Sequence, residues 1–420
     1  MSFYSSGSVK TIYLDPKSFV DGRRAVFELD GHHMAYLPNM RILDVGVFGQ
    51  AGGKYNEFVG VNALIKEVGL FDGKTKLSEA REYALYRGFQ LQNVKNAKSA
   101  SVTSIKNINQ LGYQQLKGGQ AQYLGIQDET AVARNDSKGG EVDLREVLPM
   151  LSAVTHLPTD LMPNLRLEVV FDTAVLRQVL MNDTHAIAGQ LIPVLAVDVL
   201  DDKPIVDKLT RALGKGVQWL EIEHDQVVFN AFAQDGGAAD QAVVQEVNFK
   251  LDGFKGKSVE RLLQVKEIAD PAKTINANVV QGYGRYASQA VLNEKIQYRL
   301  NGRNILPDSG AVNSAERLGY VVDTYGDCFA YPGSNSVDID PTNVVSFGAA
   351  AGSVIGGALS YNGIYIGEKV MDLQVQQSRT GLEDTTNLRP STDALNLHFY
   401  GEVKKGLVVQ NNGSYLVVNL

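Results

Sequence analysis

The stretch VDLREVLPMLSAVTHLPTDLMPNLRLEVVFD, residues 142–172, decides how the rest of the chain is interpreted. In its last third, Leu165, Leu167, Val169 and Phe171 alternate with Arg166, Glu168, Val170 and Asp172. Successive side chains of a strand point to opposite faces, so this pattern predicts a strand buried on one side, with Val170 as the exception. Upstream, Pro149, Pro158 and Pro163 permit only short turns, because proline breaks a helix interior.

The same alternation returns near the end of the chain. Leu395, Leu397 and Phe399 alternate there with Asn396, His398 and Tyr400. The segment GLVVQNNGSYLVVNL, residues 406–420, then predicts a hairpin around Asn412-Gly413, because both central residues of such a turn take positive φ. We therefore interpret the chain as two halves, each of which ends in alternating strands.

Turn dipeptides of the Asp-Gly and Asn-Gly type are spread over both halves. They begin at Asp21, Asp30, Asp72, Asp235, Asp252, Asn301, Asn362 and Asn412. Most of them adjoin alternating apolar runs, which is typical of an antiparallel all-β protein.

The individual elements can be predicted from the same patterns. Beside the strand at 165–171, we expect strands at 11–14, 25–29, 41–48, 64–71, 85–94 and 192–200 in the first half. A short helix beginning near Ser78 is expected to run into the strand at 85–94. In the second half we expect strands at 217–222 and 226–232 on either side of an acidic turn, then at 243–251, 295–300, 369–375 and in the closing hairpin. A helix is expected at 314–325, and 258–268 is open between strand and helix.

Length and charge limit the classes of protein to which the chain can belong. Its 420 residues suggest two or three domains, and the charged segment 201–216, expected to form one short helix, marks a boundary. The net charge of -7 argues against a surface built to bind nucleic acid. The lysine-containing stretch 95–117 is interpreted as part of a long solvated connection, 95–140.

The cysteine content, the N-terminal segment and an uncharged segment near the end of the chain bear on disulfides, secretion and membrane insertion. The single cysteine, Cys328, excludes a disulfide within the chain and is expected to be a buried, inert thiol. The polar segment Met1–Lys10 has no signal-peptide pattern, and we expect a partner to order it. The uncharged segment 341–367 carries glycines at 348, 352 and 356, but its low content of large apolar residues favours a packed loop and strand over a spanning helix.

The best enzyme-like motif is VVQGYGRYA, Val279–Ala287, which matches a dinucleotide-binding loop with Gly282 and Gly284. Such a loop needs an acidic residue about 20 residues later, at the end of a second parallel strand. The chain reaches the hairpin signal Asn301-Gly302 instead, so we interpret the motif as a turn and expect no cofactor.

The histidines do not form a metal-binding or catalytic pattern. His32 and His33 are adjacent and would point to opposite faces of a strand, so they cannot easily share one metal ion. His156 is expected to be a satisfied histidine of a core or turn, and His185 and His224 to be solvated in loops. We therefore expect no catalytic residues and no bound metal.

Two pairs of carboxylates keep one enzymatic alternative open. Glu221 and Glu223, and likewise Asp338 and Asp340, would share a face of a strand, which is conceivable for glycoside chemistry. The chain has one tryptophan, Trp219, so the sequence gives little support for an aromatic surface on which a sugar ring could stack. A jelly-roll protein that binds or processes carbohydrate is nevertheless one alternative.

Taken together, these segments resemble the double jelly-roll major capsid proteins of tailless icosahedral double-stranded DNA viruses, including the polinton-like and virophage-like members. LFDGKTKLSEAREYALYRGF, residues 70–89, is similar to a strand, Asp-Gly turn and Tyr-containing segment of the family's first barrel. Residues 142–172 resemble its proline-rich approach to a strand. NEKIQYRLNGRNILP, residues 293–307, and LNLHFYGEVKKGLVVQNNGSYLVVNL, residues 395–420, resemble the inner segment and C-terminal hairpin of its second barrel.

This resemblance implies two tandem eight-stranded antiparallel jelly rolls with a few short helices, at residues 1–205 and 206–420. It also implies a non-enzymatic shell protein of the virion, assembled inside the host cell from pseudo-hexagonal homotrimeric capsomers. Its partners would be copies of itself, penton and minor capsid proteins, with an internal membrane left open and no specific nucleic-acid binding. A minor virion protein, such as a spike or penton, is the other alternative.

Overall fold

The computed structural model describes residues 9–29, 31–49, 59–92, 106–107, 139–172, 187–231, 244–269, 288, 291–307, 310–312, 314–325, 361–382, 393–410 and 414–420. None of the helices within these ranges is long and apolar enough to span a membrane.

The first half contains strands β1 to β12. Their bounds are Val9–Leu14 (β1), Ser18–Val20 (β2), Arg24–Leu29 (β3), Ala35–Val45 (β4), Val47–Gly49 (β5), Ile65–Asp72 (β6), Thr75–Arg81 (β7), Gly140–Asp143 (β8), Leu157–Pro158 (β9), Leu165–Phe171 (β10), Ile187–Gln190 (β11) and Val194–Leu200 (β12). The helices are Tyr83–Gln92 (α1), Leu144–Val147 (α2) and Pro149–Ala153 (α3), and Gly60–Leu64 forms a 3₁₀ turn. The two short helices α2 and α3 agree with the prolines' exclusion of a long one.

The second half contains strands β13 to β23. Their bounds are Val217–Phe229 (β13), Gln245–Lys250 (β14), Ser258–Ile268 (β15), Val291–Leu292 (β16), Lys295–Leu300 (β17), Arg303–Asn304 (β18), Asn362–Lys369 (β19), Leu373–Arg379 (β20), Gly381–Leu382 (β21), Leu395–Val409 (β22) and Tyr415–Asn419 (β23). Helix α4, Lys203–Leu213, precedes β13, a 3₁₀ turn covers Asp252–Phe254, and helix α5, Ser314–Tyr325, follows β18.

The same strand order occurs twice. In the first half one sheet has the order β1-β12-β4-β8 and the other contains β3-β10-β6-β7, with β2 at its edge. In the second half the sheets are β13-β22-β15-β19 and β14-β20-β17-β18. In both halves the main strands therefore pair first with eighth, eighth with third and third with sixth in one sheet, and second with seventh, seventh with fourth and fourth with fifth in the other.

This order is that of a jelly roll, in which two Greek keys form two facing antiparallel sheets. The predicted all-β fold of two tandem jelly rolls with short helices is confirmed. We call strands β1–β12 with α1–α3 the first lobe, and strands β13–β23 with α5 the second lobe. Helix α4 lies between them in the chain, where one short helix was predicted. The division into residues 1–205 and 206–420 stays a prediction.

Burial along β10 follows the alternation of its sequence. Its residues alternate between buried and half-buried from Leu165 to Phe171, as predicted. On its outer face Glu168 pairs with Arg24 at 2.8 Å and with Arg166 at 2.7 Å, so the polar side chains satisfy one another outside the core.

Most other predicted elements are also present. The strands expected at 11–14, 25–29, 64–71, 192–200, 243–251 and 295–300 and the helix at 314–325 are confirmed, apart from small differences at their ends, and 258–268 is a strand. The strand expected at 41–48 is divided between β4 and β5. The strands of the closing hairpin, β22 and β23, pair antiparallel from Lys405 with Asn419 to Val409 with Tyr415.

The strand predicted at 85–94, and the helix start near Ser78, are wrong. Ser78 lies inside β7, and helix α1 begins at Tyr83, after Glu82 adopts a positive φ of 46°. Every residue from Tyr83 to Phe89 is buried. A helix that is covered on all sides has no polar face, and its sequence therefore lacks the helical periodicity that would have revealed it.

Three predictions in the second half are also wrong. The acidic turn between 217–222 and 226–232 does not exist, because β13 continues through it in unbroken register with β22. Asn362-Gly363 is not a turn but the start of β19. The strand predicted at 369–375 spans the connection between β19 and β20.

Candidate functional site: the seam between the two lobes

An apolar seam joins the two lobes. Phe89 of α1 contacts the rings of Tyr325 and Tyr361 edge-on, with centroid distances of 5.2 Å and 5.1 Å. About one helical turn before Phe89, the ring centroid of Tyr86 lies 5.2 Å from that of Tyr400 in β22. These residues belong to a single cluster of buried side chains that includes the core of the first lobe. The lobes therefore share apolar core and are not merely linked by chain.

Strand β22 contributes to both sides of this seam. Leu395, Leu397 and Phe399 point into the core of the second lobe. Tyr400 points the other way, joins the first lobe's cluster, and donates a hydrogen bond from its hydroxyl to the carbonyl oxygen of Glu82 at 2.8 Å. The alternation predicted for this strand is real, but both of its faces are buried because a lobe lies on each side.

Glu221 lies at the seam and receives donors from both lobes. Its carboxylate accepts hydrogen bonds from the hydroxyl of Ser78 at 2.7 Å and from the backbone amide of Glu79 at 2.8 Å. The indole nitrogen of Trp219 donates to it at 2.5 Å. Burial raises the pKa of Glu221, although Lys405 and these donors oppose the effect. Glu221 therefore fixes the position of β7 against β13.

Glu223 is held by two lysines of the second lobe. Lys257 lies 2.5 Å and Lys405 2.9 Å from its carboxylate oxygens. Despite burial, these lysines hold the pKa of Glu223 below its usual value. Glu221 and Glu223 line a cavity of roughly 240 Å³ at the seam. Glu221 is occupied by hydrogen-bond donors and Glu223 by two lysines, and Trp219 is buried, so these residues do not present an open carboxylate pair with an aromatic platform.

A chain of hydrogen bonds runs through the seam beside this cavity. The Nε2 atom of His224 lies 3.0 Å from Nδ1 of His398, and Nε2 of His398 lies 3.0 Å from a carboxylate oxygen of Glu267. Burial, reinforced by His398 and the nearby Arg81, lowers the pKa of His224 to about 3. His224, which was predicted to be solvated in a loop, is instead a half-buried residue of β13 that takes part in these hydrogen bonds.

The other singled-out residues within the described ranges have structural roles. His33 pairs with Asp201 at 2.9 Å. His156 is buried and hydrogen-bonded to Thr155 and Thr210, which agrees with the predicted satisfied histidine. No group of three potential metal ligands occurs among the residues that the structure describes.

Several predictions lie outside the described residues. They concern the glycine motif Val279–Ala287, the pair Asp338 and Asp340, His185, Cys328, most of the stretch 95–117, and residues 341–360.

Sequence reasoning missed the seam itself. The only signal for it was the density of aromatic and polar residues at alternate positions of 396–400, which a strand with one solvated face would not need. Which partner covers that second face depends on contacts between residues some 300 positions apart, such as Tyr400 with Glu82.

The double jelly roll that these sheets and this seam define is found in solved virus structures. The chain is similar to the mavirus major capsid protein, with a TM-score of 0.54 and 9% identity over 99% of this chain and 90% of that chain. It is similar to the Faustovirus major capsid protein, with a TM-score of 0.54 and 8% identity over 98% and 92%. A chain of the Sputnik virophage gives a TM-score of 0.57 and 11% identity over 100% and 90%.

No protein-family model and no curated protein sequence matches the chain. At these identities the similarity defines the fold, and it covers both lobes together with the connection between them.

Proposed function

We propose that this chain is a viral major capsid protein that assembles as pseudo-hexagonal homotrimeric capsomers of an icosahedral shell. The observation that carries the proposal is the repeated strand order in two lobes of one chain, joined by a buried seam, in an arrangement shared over the whole chain with major capsid proteins.

The geometry supports this role because one chain carries two lobes with the same strand order. Three such chains around a three-fold axis present six lobes, which can pack in a hexagonal array. Contacts of this kind are heterologous and close into a ring, unlike those of a two-fold dimer. A rigid seam suits this task, since the two lobes of one subunit must keep a fixed spacing in the array.

The proposal includes the division of the chain and its surroundings in the particle. Residues 1–205 form one lobe with its N-terminal segment and residues 206–420 form the other. The protein would reside in the virion, contact neighbouring capsomers as well as penton and minor capsid proteins, and perform no catalysis. The net charge of -7 fits a shell that does not itself condense nucleic acid.

Light scattering after size exclusion tests the proposal. We expect a species of three times the chain mass of 45.7 kDa that persists on dilution, because a permanent trimer buries more than ~2,000 Å² in total. Electron microscopy of the concentrated protein, or of particles that contain it, should show trimers with six-lobed outlines. A monomer that never joins particles would overturn the proposal, and so would a copy number in particles too low for a shell.

A further inference from the structure

The interior of the second lobe contains a lysine, a glutamate and an asparagine that are shielded from solvent. Lys266 of β15 is 0% exposed, Glu294 is 1% exposed, and Asn362 of β19 is 2% exposed. Strands β15 and β19 are neighbours, with Gln264 opposite Asn362. Lys266 follows Gln264 by two residues and shares its face, so Lys266 and Asn362 are diagonal neighbours across the two strands.

A single carboxylate holds both the amine and the amide. The Nζ atom of Lys266 lies 2.6 Å from Oε2 of Glu294, and the Nδ2 atom of Asn362 donates to Oε1 of the same residue at 2.9 Å. Because the two carboxylate oxygens share one carbon, the lysine amine and the asparagine amide are brought together. The buried carbonyl oxygen of Asn362 accepts no hydrogen bond from the residues that the structure describes.

The surroundings make the amine easier to deprotonate beside an ionised carboxylate. Burial lowers the pKa of Lys266 to about 8; the charge of Glu294 opposes this shift, and the guanidinium of Arg317 adds to it. Although burial opposes it, Lys266 and Arg317 hold the pKa of Glu294 below its usual value. The Nε atom of Arg317 lies 3.4 Å from Oε2 of Glu294, so the carboxylate keeps a cationic partner if the lysine loses its proton.

We propose that Lys266 and Asn362 form an intramolecular isopeptide bond, with Glu294 as the catalytic residue that transfers the protons. Nζ of Lys266 gives a proton to the carboxylate and attacks Cγ of Asn362. The bond between Nζ and Cγ forms, and the bond between Cγ and Nδ2 breaks. The two protons lost by the lysine ammonium pass through Glu294 to the departing nitrogen. Ammonium therefore leaves, the carboxylate is regenerated, and no oxidant or reductant is required.

The reaction relieves an unfavourable arrangement in the core. A buried ammonium loses its hydration, and the attraction of a carboxylate often fails to compensate for that loss. An amide carries no charge, so bond formation removes the buried ammonium and leaves Glu294 with Arg317 and Gln377 beside it. The cross-link also closes the chain between residues 266 and 362, which restricts the unfolded state as a disulfide would. The chain's single cysteine cannot supply such a bond.

Mass spectrometry of the denatured full-length protein tests the proposal. We expect a mass lower than that of the sequence by one ammonia molecule, and a branched peptide in the digest that joins the segments containing Lys266 and Asn362. Asn362 is followed by Gly363, and cyclisation of this Asn-Gly pair alone would release the same ammonia. The branched peptide and the variant Lys266→Arg separate the two reactions, because cyclisation needs no lysine.

Three variants locate the chemistry, and one serves as a control. Lys266→Arg and Asn362→Ala should restore the full sequence mass. Glu294→Gln keeps the shape of the side chain but cannot accept the proton, so it should abolish or greatly slow the loss of ammonia. Lys257→Arg is the control. Lys257 also pairs with a glutamate, Glu223 at the seam, but takes no part in the proposed reaction, so this variant should still lose ammonia.

Two results would overturn the proposal. One is a wild-type protein that keeps its full mass and yields no branched peptide, in freshly purified material and after prolonged incubation. The other is a loss of ammonia that persists in Lys266→Arg when the wild-type digest contains no branched peptide, since cyclisation alone then accounts for the loss. The wild-type digest requires no substitution, so it decides the question even if a variant fails to fold.

Discussion

Individual buried polar residues determine how the lobes fit together. The buried carboxylate of Glu221 accepts hydrogen bonds from Ser78, Glu79 and Trp219 at the seam. Such a group contributes less through its own hydrogen bonds than its removal would cost, because each buried donor that loses its acceptor is left unsatisfied. The carboxylate of Glu221, one of the predicted candidates for glycoside chemistry, is thus a structural hydrogen-bond acceptor.

Glu221→Ala tests this role. We expect the free energy of unfolding to fall by about 3 kcal/mol, since more than one buried donor loses its acceptor. Urea unfolding followed by the fluorescence of Trp219 measures the loss and reports directly from the seam. Glu28→Ala is the control, because Glu28 forms an exposed pair with Lys17, and a change of ~0.5 kcal/mol at most is expected there. Equal effects of the two substitutions would contradict the role assigned to Glu221.

His156 should make stability depend on pH. Burial lowers its pKa to about 4, whereas in the unfolded chain it is about 6.5. Between these values the unfolded chain binds the proton more readily, so the contribution of His156 to stability is complete above about pH 6.5 and declines as the pH falls towards 4.

Between about pH 7 and pH 5 the loss from His156 should be on the order of 1–2 kcal/mol. His156→Gln should remove this part of the pH dependence and leave the part that comes from His224. Urea midpoints of both proteins at the two pH values provide the measurement. An unchanged pH dependence in the variant would show that His156 can be protonated in the folded state.

At the scale of elements, hairpins and helix ends follow local chemistry. The turn between β17 and β18 has φ of 50° at Asn301 and 86° at Gly302, which is the left-handed pair that Asn-Gly favours. Asn301 also accepts hydrogen bonds from the backbone amides of Met371 and Asp372, so its side chain ties this hairpin to the start of β20. The Asn301-Gly302 turn could be predicted from the sequence because its conformation depends on these two residues and not on distant ones.

Two glycine substitutions should have opposite effects. Gly302→Ala is expected to cost roughly 1 kcal/mol, because alanine is strained at positive φ even though the space is open. Gly319→Ala, in the exposed face of α5 with open space around it, should stabilise by roughly 0.4–1 kcal/mol by restricting the unfolded chain. The midpoints of thermal unfolding of the two variants and the wild type are compared. If both substitutions shift the midpoint in the same direction, the backbone conformation described for Gly302 or Gly319 is wrong.

At the scale of the whole molecule, the lobes share one cluster of buried apolar side chains. Phe89, Tyr325 and Tyr361 meet at the seam, and their cluster continues into the core of the first lobe. Apolar area buried between two lobes couples their unfolding, because neither can open without exposing the surface of the other. In the proposed capsomer, this coupling would keep the two lobes of a subunit at a fixed spacing.

Unfolding should therefore show a single transition. The fluorescence of Trp219, at the seam, and far-ultraviolet circular dichroism, which averages over both lobes, should have the same midpoint in urea. Phe89→Ala should lower this midpoint in both signals, with a loss of about 3–5 kcal/mol for a fully buried aromatic side chain. Tyr13→Ala, at a side chain exposed on β1, is the control and should leave the midpoint nearly unchanged. Separate midpoints for the two signals in the wild type would mean that the lobes unfold independently.

The sequence by itself determined the strands with one buried face and the turns made by local residue chemistry. The alternation of Leu165–Phe171 and the pair Asn301-Gly302 needed only the geometry of a strand and of a tight turn. Together with the spacing of the turns, these patterns indicated an all-β chain in two halves and its likeness to the double jelly-roll family.

Only the tertiary structure decided which surfaces are covered twice. The pattern over 85–94 predicts a strand where α1 lies, because contact with the other lobe buries the polar face that helical periodicity requires. The acidic residues of β13 predict a turn, whereas in the structure Glu221 and Glu223 are held at the seam by Ser78 and by Lys257. The pairing of Lys266 with Glu294 and of Glu221 with Ser78 likewise depends on strands that are distant in the chain. Periodicity records whether a face is buried, but it does not record what buries it.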